Sequence, residues 1–131
     1  MSKSATPSIT TPVDHDCQIV SDHTGPVCVV HVTGSLDWAT APRFCDRMRE
    51  QPTDRTVIID LSRTTNMDSA GLGALLATAM EAVSRGQQLV VVSVDPVDVE
   101  VLRNLDVNLV VPIFSSQAEA LRWLADPEPV P

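Results

Sequence analysis

Tyrosine is missing from the 131 residues, and phenylalanine and tryptophan occur twice each. The core must therefore be built almost wholly from aliphatic side chains. Lysine occurs once, as Lys3. That removes a phosphate-loop lysine, a Schiff-base lysine and a lysine general base from the body of the chain. The net charge of −8 argues against nucleic acid or an anionic membrane surface as a ligand. No apolar run is long enough to span a bilayer, and the N-terminus lacks the basic-then-apolar pattern of a secretion signal. A cytoplasmic protein is expected. Cys17, Cys28 and Cys45 contain no C-x-x-C pair and read as free thiols in a reducing compartment. His15, Cys17, His23, Cys28 and His31 crowd together in sequence. However, Cys28 and His31 are three apart on a strand pattern and point to opposite faces, and the spacings lack the close ligand pairs of structural zinc sites. No metal site is expected.

What is present suggests a single domain. Residues 1–13 are rich in Ser, Thr and Pro and read as a flexible arm; residues 126–131 read as a Pro-rich tail, leaving a domain over 14–125. A short strand over 17–20, a turn at 22–26 and a strand over 27–33 form an opening hairpin. On the second strand Cys28, Val30 and Val32 share one face, and Val27, Val29, His31 and Thr33 share the other. His31 reads as a half-buried polar residue at a strand end. Gly34-Ser35-Leu36-Asp37 ends the strand, and Thr40 is placed to cap a helix with Pro42 in its first turn. Phe44 and Met48 face inward on that helix, while Arg43, Asp46, Arg47, Arg49 and Glu50 lie mostly in solvent. Later come a buried strand over 89–94 and a helix over 97–104, opened by Asp95-Pro96, with Val97, Val101 and Leu102 inward. A last strand over 109–111 is closed by Pro112. A capping box at Ser116-Gln117-Ala118-Glu119 opens a helix to about 125. An opening hairpin followed by alternating strands and helices specifies an α/β fold whose later strands are parallel.

The most informative stretch is Val57 to Leu76, VIIDLSRTTNMDSAGLGALL. Val57 to Leu61 reads as a strand buried on both faces, Ser62 to Asn66 as a polar loop. Leu72, Leu75, Leu76, Ala79, Met80 and Val83 then recur at helical spacing, and Arg85-Gly86 stops the helix. Asp68 and Ser69 both stand where an N-cap belongs, at a helix end that stabilises negative charge, phosphate included. Catalysis by the chain itself has little support. Gly71 could be the second glycine of a G-x-S-x-G elbow around Ser69, but Met67 holds the first place, and all three histidines precede residue 32. Gly71 and Gly73 begin a G-x-G-x-x-G, but the third place is Leu76 and the run lies inside the helix. No carboxylates pair at catalytic spacing, so no enzyme is expected. As ordinary structure, Ser69 would be a helix cap, and Gly71 and Gly73 would allow close packing of helix on sheet. The small residues Ala70, Gly73, Ala74 and Ala77 leave a shallow face for a partner.

Asp60-Leu61-Ser62 followed by Met67-Asp68-Ser69-Ala70-Gly71-Leu72 resembles the signature of bacterial anti-sigma factor antagonists, the STAS-domain family. The order of elements fits the STAS fold, a mixed sheet with an opening hairpin and interspersed helices. The resemblance implies a protein that binds an anti-sigma factor of the histidine-kinase-like ATPase class and so frees a sigma factor for transcription. It implies that this partner phosphorylates Ser69 and separates, and that a metal-dependent Ser/Thr phosphatase resets the switch. ATP would belong to the partner, so no cofactor is expected. Gly34-Ser35-Leu36-Asp37 resembles the family's Gly-Glu-Leu-Asp element, with Asp37 matching an acid near the phosphorylated serine. Thr40 matches a threonine opening the first helix, and Asp68 the aspartate before the phosphoacceptor. The partner-binding set is then Asp37, Trp38, Thr40, Asp68, Ser69, Ala70, Gly71 and Gly73, with Trp38 as an aromatic anchor. Asp37, Asp60 and Asp68 would add repulsion once a phosphate is attached.

Two departures from the family pattern stand out: Ser35 replaces the common Glu, and Asp106-Val107-Asn108 replaces the glycine usual before the last strand. Within the fold, the rival reading is a STAS module of another assembly, such as a stress-signalling complex or a subunit of an ABC transporter. From another class comes a nucleotide or small-anion sensor gripping its ligand at the Ser69 helix end. Cysteine redox control and modification of Thr64 or Thr65 are not decided by the sequence.

Overall fold

Val57, Ile58 and Ile59 are completely buried, as are Val90 and Val91. Such runs form strands enclosed on both faces, where no polar alternation is needed. The computed structural model describes residues 17–24 and 27–125; the expected arm at 1–13 and tail at 126–131 lie outside them. The elements are β1 (Cys17–Thr24), β2 (Val27–Leu36), α1 (Ala41–Arg49), β3 (Thr56–Met67), α2 (Ser69–Ser84) and β4 (Leu89–Val92). They continue with α3 (Pro96–Asn104), a 3-10 turn (Val107–Leu109), β5 (Ile113–Phe114) and α4 (Gln117–Ala125). The strands form one sheet in the order β1-β2-β3-β4-β5. β1 runs antiparallel to β2, and every later pair is parallel. The α/β class with an opening hairpin is therefore observed, and each parallel step is bridged by a helix, as that connection requires.

The two faces are covered unequally. On one, Cys28, Val30, Val32, Leu36, Val57, Ile59 and Val91 pack with Phe44 and Met48 of α1, Leu75 and Ala79 of α2, and Leu102 of α3. On the other, Val29, Ile58, Val90 and Val92 pack with Ala120, Trp123 and Leu124 of α4. Trp123 also meets Phe114, with ring centroids 5.6 Å apart. Cys28 and His31 do face opposite ways: Cys28 belongs to the first core, and His31 pairs with Asp60.

Several expectations are corrected. The stretch 62–66 is not a loop but a continuation of β3 to Met67. It stays polar because Ser62, Arg63, Thr65 and Asn66 are exposed, and it stays extended because β2 runs beside it as far as Leu36, past the predicted end at 33. The pairing slips twice, between His31 and Thr33 and between Gly34 and Ser35. No strand forms at 109–111: the 3-10 turn ends at Leu109, Val110 and Val111 continue as turn and bend, and pairing with β4 begins after Pro112, at Ile113. Asp106 causes the turn by adopting a left-handed backbone with φ 61°, the conformation a glycine reaches at less cost. Val97 is exposed rather than inward, and so are Met80 and Val83. On α2 the buried face is instead Gly71, Ala74, Leu75, Thr78, Ala79 and Ala82.

Arg43 and Arg47 are not free in solvent. Their Nη2 atoms donate to the carbonyls of Cys17 (2.7 Å) and Ile19 (2.8 Å) on β1. Next along, Gln51 is buried and donates to Ser21 Oγ at 2.9 Å, while its Oε1 accepts from the Cys28 thiol at 2.8 Å. The three cysteines are free thiols. Among the described residues no helix is long and apolar enough to cross a membrane.

Candidate modification and partner-binding site

β4 pairs with β3 only as far as Asp60 opposite Val92, whereas β2 and β3 continue together to Leu36 opposite Met67. The result is that β2 and β3 run on past the end of β4, with β1 alongside β2 as far as Gly34 opposite Cys17. The chain ends of β2 and β3, Leu36 and Met67, lie side by side, so the residues that follow each one are brought together. After Leu36 comes the loop over 37–40; after Met67 come Asp68 and α2.

Asp68 has an extended backbone (φ −99°, ψ −175°), the geometry of an N-cap. Its Oδ1 accepts from the Gly71 N–H at 2.9 Å, and its Oδ2 accepts from the Trp38 N–H at 3.1 Å. Its own N–H donates to the Leu36 carbonyl at 3.3 Å, and its carbonyl accepts the first helical bond, from Leu72 at 2.9 Å. Asp68 is thus the cap and also the clasp between the two chain ends. Ser69 is the first helical residue and is exposed. The ambiguity between two possible caps is resolved in favour of Asp68, which leaves the Ser69 side chain outside the fold's own bonding.

Gly71 and Gly73 differ. A Cβ on Gly71 would run into the Leu36 carbonyl, so close packing against β2 explains this residue. A Cβ on Gly73 would meet nothing within 4 Å; the expected packing role there is overturned. Gly73 is exposed one turn beyond Ser69, and Ala70 is half-buried between them.

The 37–40 loop is held by its own polar groups. Asp37 Oδ1 accepts from the N–H groups of Ala39 (3.0 Å) and Thr40 (3.2 Å). Thr40 is buried; its hydroxyl accepts from the Asp37 N–H and donates to the Ser35 carbonyl, both at 2.9 Å. Thr40 occupies the N-cap position of α1 but makes no side-chain capping bond. Its hydroxyl is turned back to fasten the loop instead. Trp38, at the tip, is 75% exposed.

The structure therefore brings Asp37, Trp38, Thr40, Asp68, Ser69, Ala70, Gly71 and Gly73 to one end of the molecule. Asp60 does not join them. It lies seven residues back along β3, roughly 20 Å at strand rise, and cannot act as a neighbour of Ser69. It is buried, lies 3.1 Å from His31 Nδ1, and accepts from the Ser62 N–H at 3.0 Å. His31 is accordingly a mid-strand partner of Asp60 rather than a strand-end residue. Sequence reasoning missed this pair, although two polar residues interrupting apolar strands were the available signal. It also missed the Asp68 link to Trp38, for which Gly71 was an indirect sign, because a glycine there means the helix start lies against β2.

Known structures share this architecture. A crystal structure of an anti-sigma factor antagonist from Mycobacterium paratuberculosis is 24% identical with a TM-score of 0.73, covering 84% of this chain and 95% of that one. The Bacillus cell fate determinant SpoIIAA in its phosphorylated form is 18% identical with a TM-score of 0.62, covering 82% and 99%. A sulfate transporter family protein from Wolinella succinogenes is 19% identical with a TM-score of 0.64, covering 78% and 87%. At these identities the likeness is one of fold. Residues 18–120 match the family model of the STAS domain, and with the hairpin, parallel strands and capped helix already described, the chain belongs to the STAS-domain family.

Proposed function

We propose that this chain is an anti-sigma factor antagonist switched off by phosphorylation of Ser69. The observation that carries the reading is the division of labour at the start of α2. Asp68 caps the helix, so an exposed serine stands at its first position with no structural duty. The fold it shares with anti-sigma factor antagonists, one of them solved in a phosphorylated form, supports the same reading. The unmodified protein binds an anti-sigma factor of the histidine-kinase-like ATPase class through Trp38, Ser69, Ala70 and Gly73. Gly71 and Thr40 hold this surface in shape, and Asp37 and Asp68 flank it. Binding frees a sigma factor for transcription in the cytoplasm.

The partner holds the ATP. Ser69 Oγ bonds to the γ-phosphorus, the bond from that phosphorus to the ADP oxygen breaks, and the hydroxyl proton passes to a base on the partner. A metal-dependent Ser/Thr phosphatase later hydrolyses the ester. This chain supplies the acceptor and the docking surface, with no catalysis and no cofactor of its own. The phosphate adds about −1.5 to −2 charges beside the carboxylates of Asp37 and Asp68. The helix N-terminus tolerates that charge in the free protein. In an interface the charge must be desolvated, and losing one well-buried contact costs ~2 kcal/mol or more, roughly a thirtyfold loss of affinity.

Pull-down from host lysate with wild-type, Ser69→Ala and Ser69→Glu baits tests the reading. Wild type and Ser69→Ala should retain a histidine-kinase-like ATPase, and Ser69→Glu should lose it. With ATP, the captured partner should add 80 Da, about one phosphate by mass, to wild type and nothing to Ser69→Ala. Likeness to a sulfate transporter family protein favours one alternative, a STAS module serving another assembly. Equal recovery of a membrane transporter or another non-kinase partner by all three baits would establish that alternative and end the sigma-pathway reading.

A further inference from the structure

One carboxylate does two jobs beside Ser69. Asp68 Oδ1 holds the Gly71 N–H of α2, and Oδ2 holds the Trp38 N–H of the neighbouring loop. We propose that Asp68 couples the phosphorylation state of Ser69 to the position of Trp38, so that modification withdraws the aromatic anchor as well as blocking the serine. The inference rests on the reading of Ser69 as the phosphoacceptor.

A phosphate on the residue directly after Asp68 competes for the same first-turn N–H groups. It brings more charge and three acceptor oxygens, so it is the stronger acceptor there. It also repels the adjacent carboxylate. Of the two Asp68 bonds, the one to Trp38 is the longer and is solvent-exposed, and its donor belongs to the loop and not to the first turn of the helix, where the dipole acts. That bond gives way. The remainder of the loop stays in place, because Thr40 is buried and bonded to the Ser35 carbonyl, and Asp37 Oδ1 remains occupied by Ala39 and Thr40. The change is therefore confined to Trp38, the most exposed ring of the described residues.

The test reads the Trp38 amide directly. Full-length protein carrying phosphoserine at position 69, installed by genetic encoding, is compared with unmodified protein and with Asp68→Asn. The asparagine keeps one acceptor oxygen for the Gly71 cap but replaces the other with an amide nitrogen that cannot accept from Trp38. Amide hydrogen exchange at Trp38 should accelerate roughly tenfold or more in both altered proteins, as expected for loss of a hydrogen bond to a charged acceptor. In a Trp123→Phe background, the fluorescence anisotropy of Trp38 should fall in both. Protection of Trp38 that survives phosphoserine overturns the proposal, and that arm needs no variant of Asp68. Phosphoserine-induced exposure that Asp68→Asn fails to reproduce also overturns it, since Asp68 would then not be the link. Encoding the phosphoserine requires no kinase, so the outcome is independent of whether the pull-down finds one.

Discussion

Gly71 and Gly73 stand two residues apart on α2 and answer to different constraints. Gly71 lies against the Leu36 carbonyl with no room for a Cβ. Gly71→Ala must push the helix off β2 and should cost roughly 1–3 kcal/mol, as overpacking does. Gly73 faces open space, and a mid-helix glycine there costs the free protein about 1 kcal/mol relative to alanine. Gly73→Ala should therefore stabilise the fold by about that amount. Urea unfolding of both variants checks the pair; destabilisation by Gly73→Ala would mean the space beside it is not open. Sequence alone gave both glycines the same reading, because a spacing pattern says which face a residue is on and not what stands opposite it. Asp68 and Ser69 posed a similar problem. Either residue type can cap a helix, and only the backbone angles at position 68 and the bond to Gly71 decide between them.

Elements set by neighbouring residues were legible; those set by distant ones were not. Asp95-Pro96 opens α3 as expected, with Asp95 Oδ1 accepting from the Val97 N–H at 2.8 Å. Ser116 opens α4, its hydroxyl accepting from the Glu119 N–H at 3.1 Å. The reciprocal half of that capping box reaches one residue further, since Glu119 Oε1 accepts from the Ser115 hydroxyl at 2.7 Å and the Ser115 N–H at 3.3 Å. The polar end of β3, by contrast, is strand only because β2 lies beside it, and no local signal in Ser62 to Asn66 carries that information. The hydrogen bonds from Ser115 lower the Glu119 carboxyl below its ordinary pKa. A lowered folded value means the contribution is full above the unfolded pKa and is lost as pH falls through the folded one. On acidification, Trp123 fluorescence should report loosening of α4, and Glu119→Gln should flatten that part of the titration. An unchanged acid limb in Glu119→Gln would assign the loosening to another group.

At the scale of the whole molecule, three helices cover one face of the sheet and α4 covers part of the other. This ranks the thiols. Cys17 and Cys28 are buried in the first core, and Cys45 is half-buried on α1. Burial also pushes the Cys28 thiol up, away from thiolate, where nucleophilic reactivity is least. Alkylation followed by mass spectrometry should modify Cys45 first, with Cys17 and Cys28 labelled only as the sheet opens; early labelling of Cys28 would contradict the packing of β2. Among the described residues the same sheet has two outer strands, β1 and β5, and each offers less than its full edge for pairing. β5 has only two residues, and two carbonyls of β1 are already held by Arg43 and Arg47. Blunted edges of this kind are how β-proteins avoid joining strand to strand with other copies. Arg43 and Arg47 thus put two acceptors of β1 out of reach of a strand from a second copy.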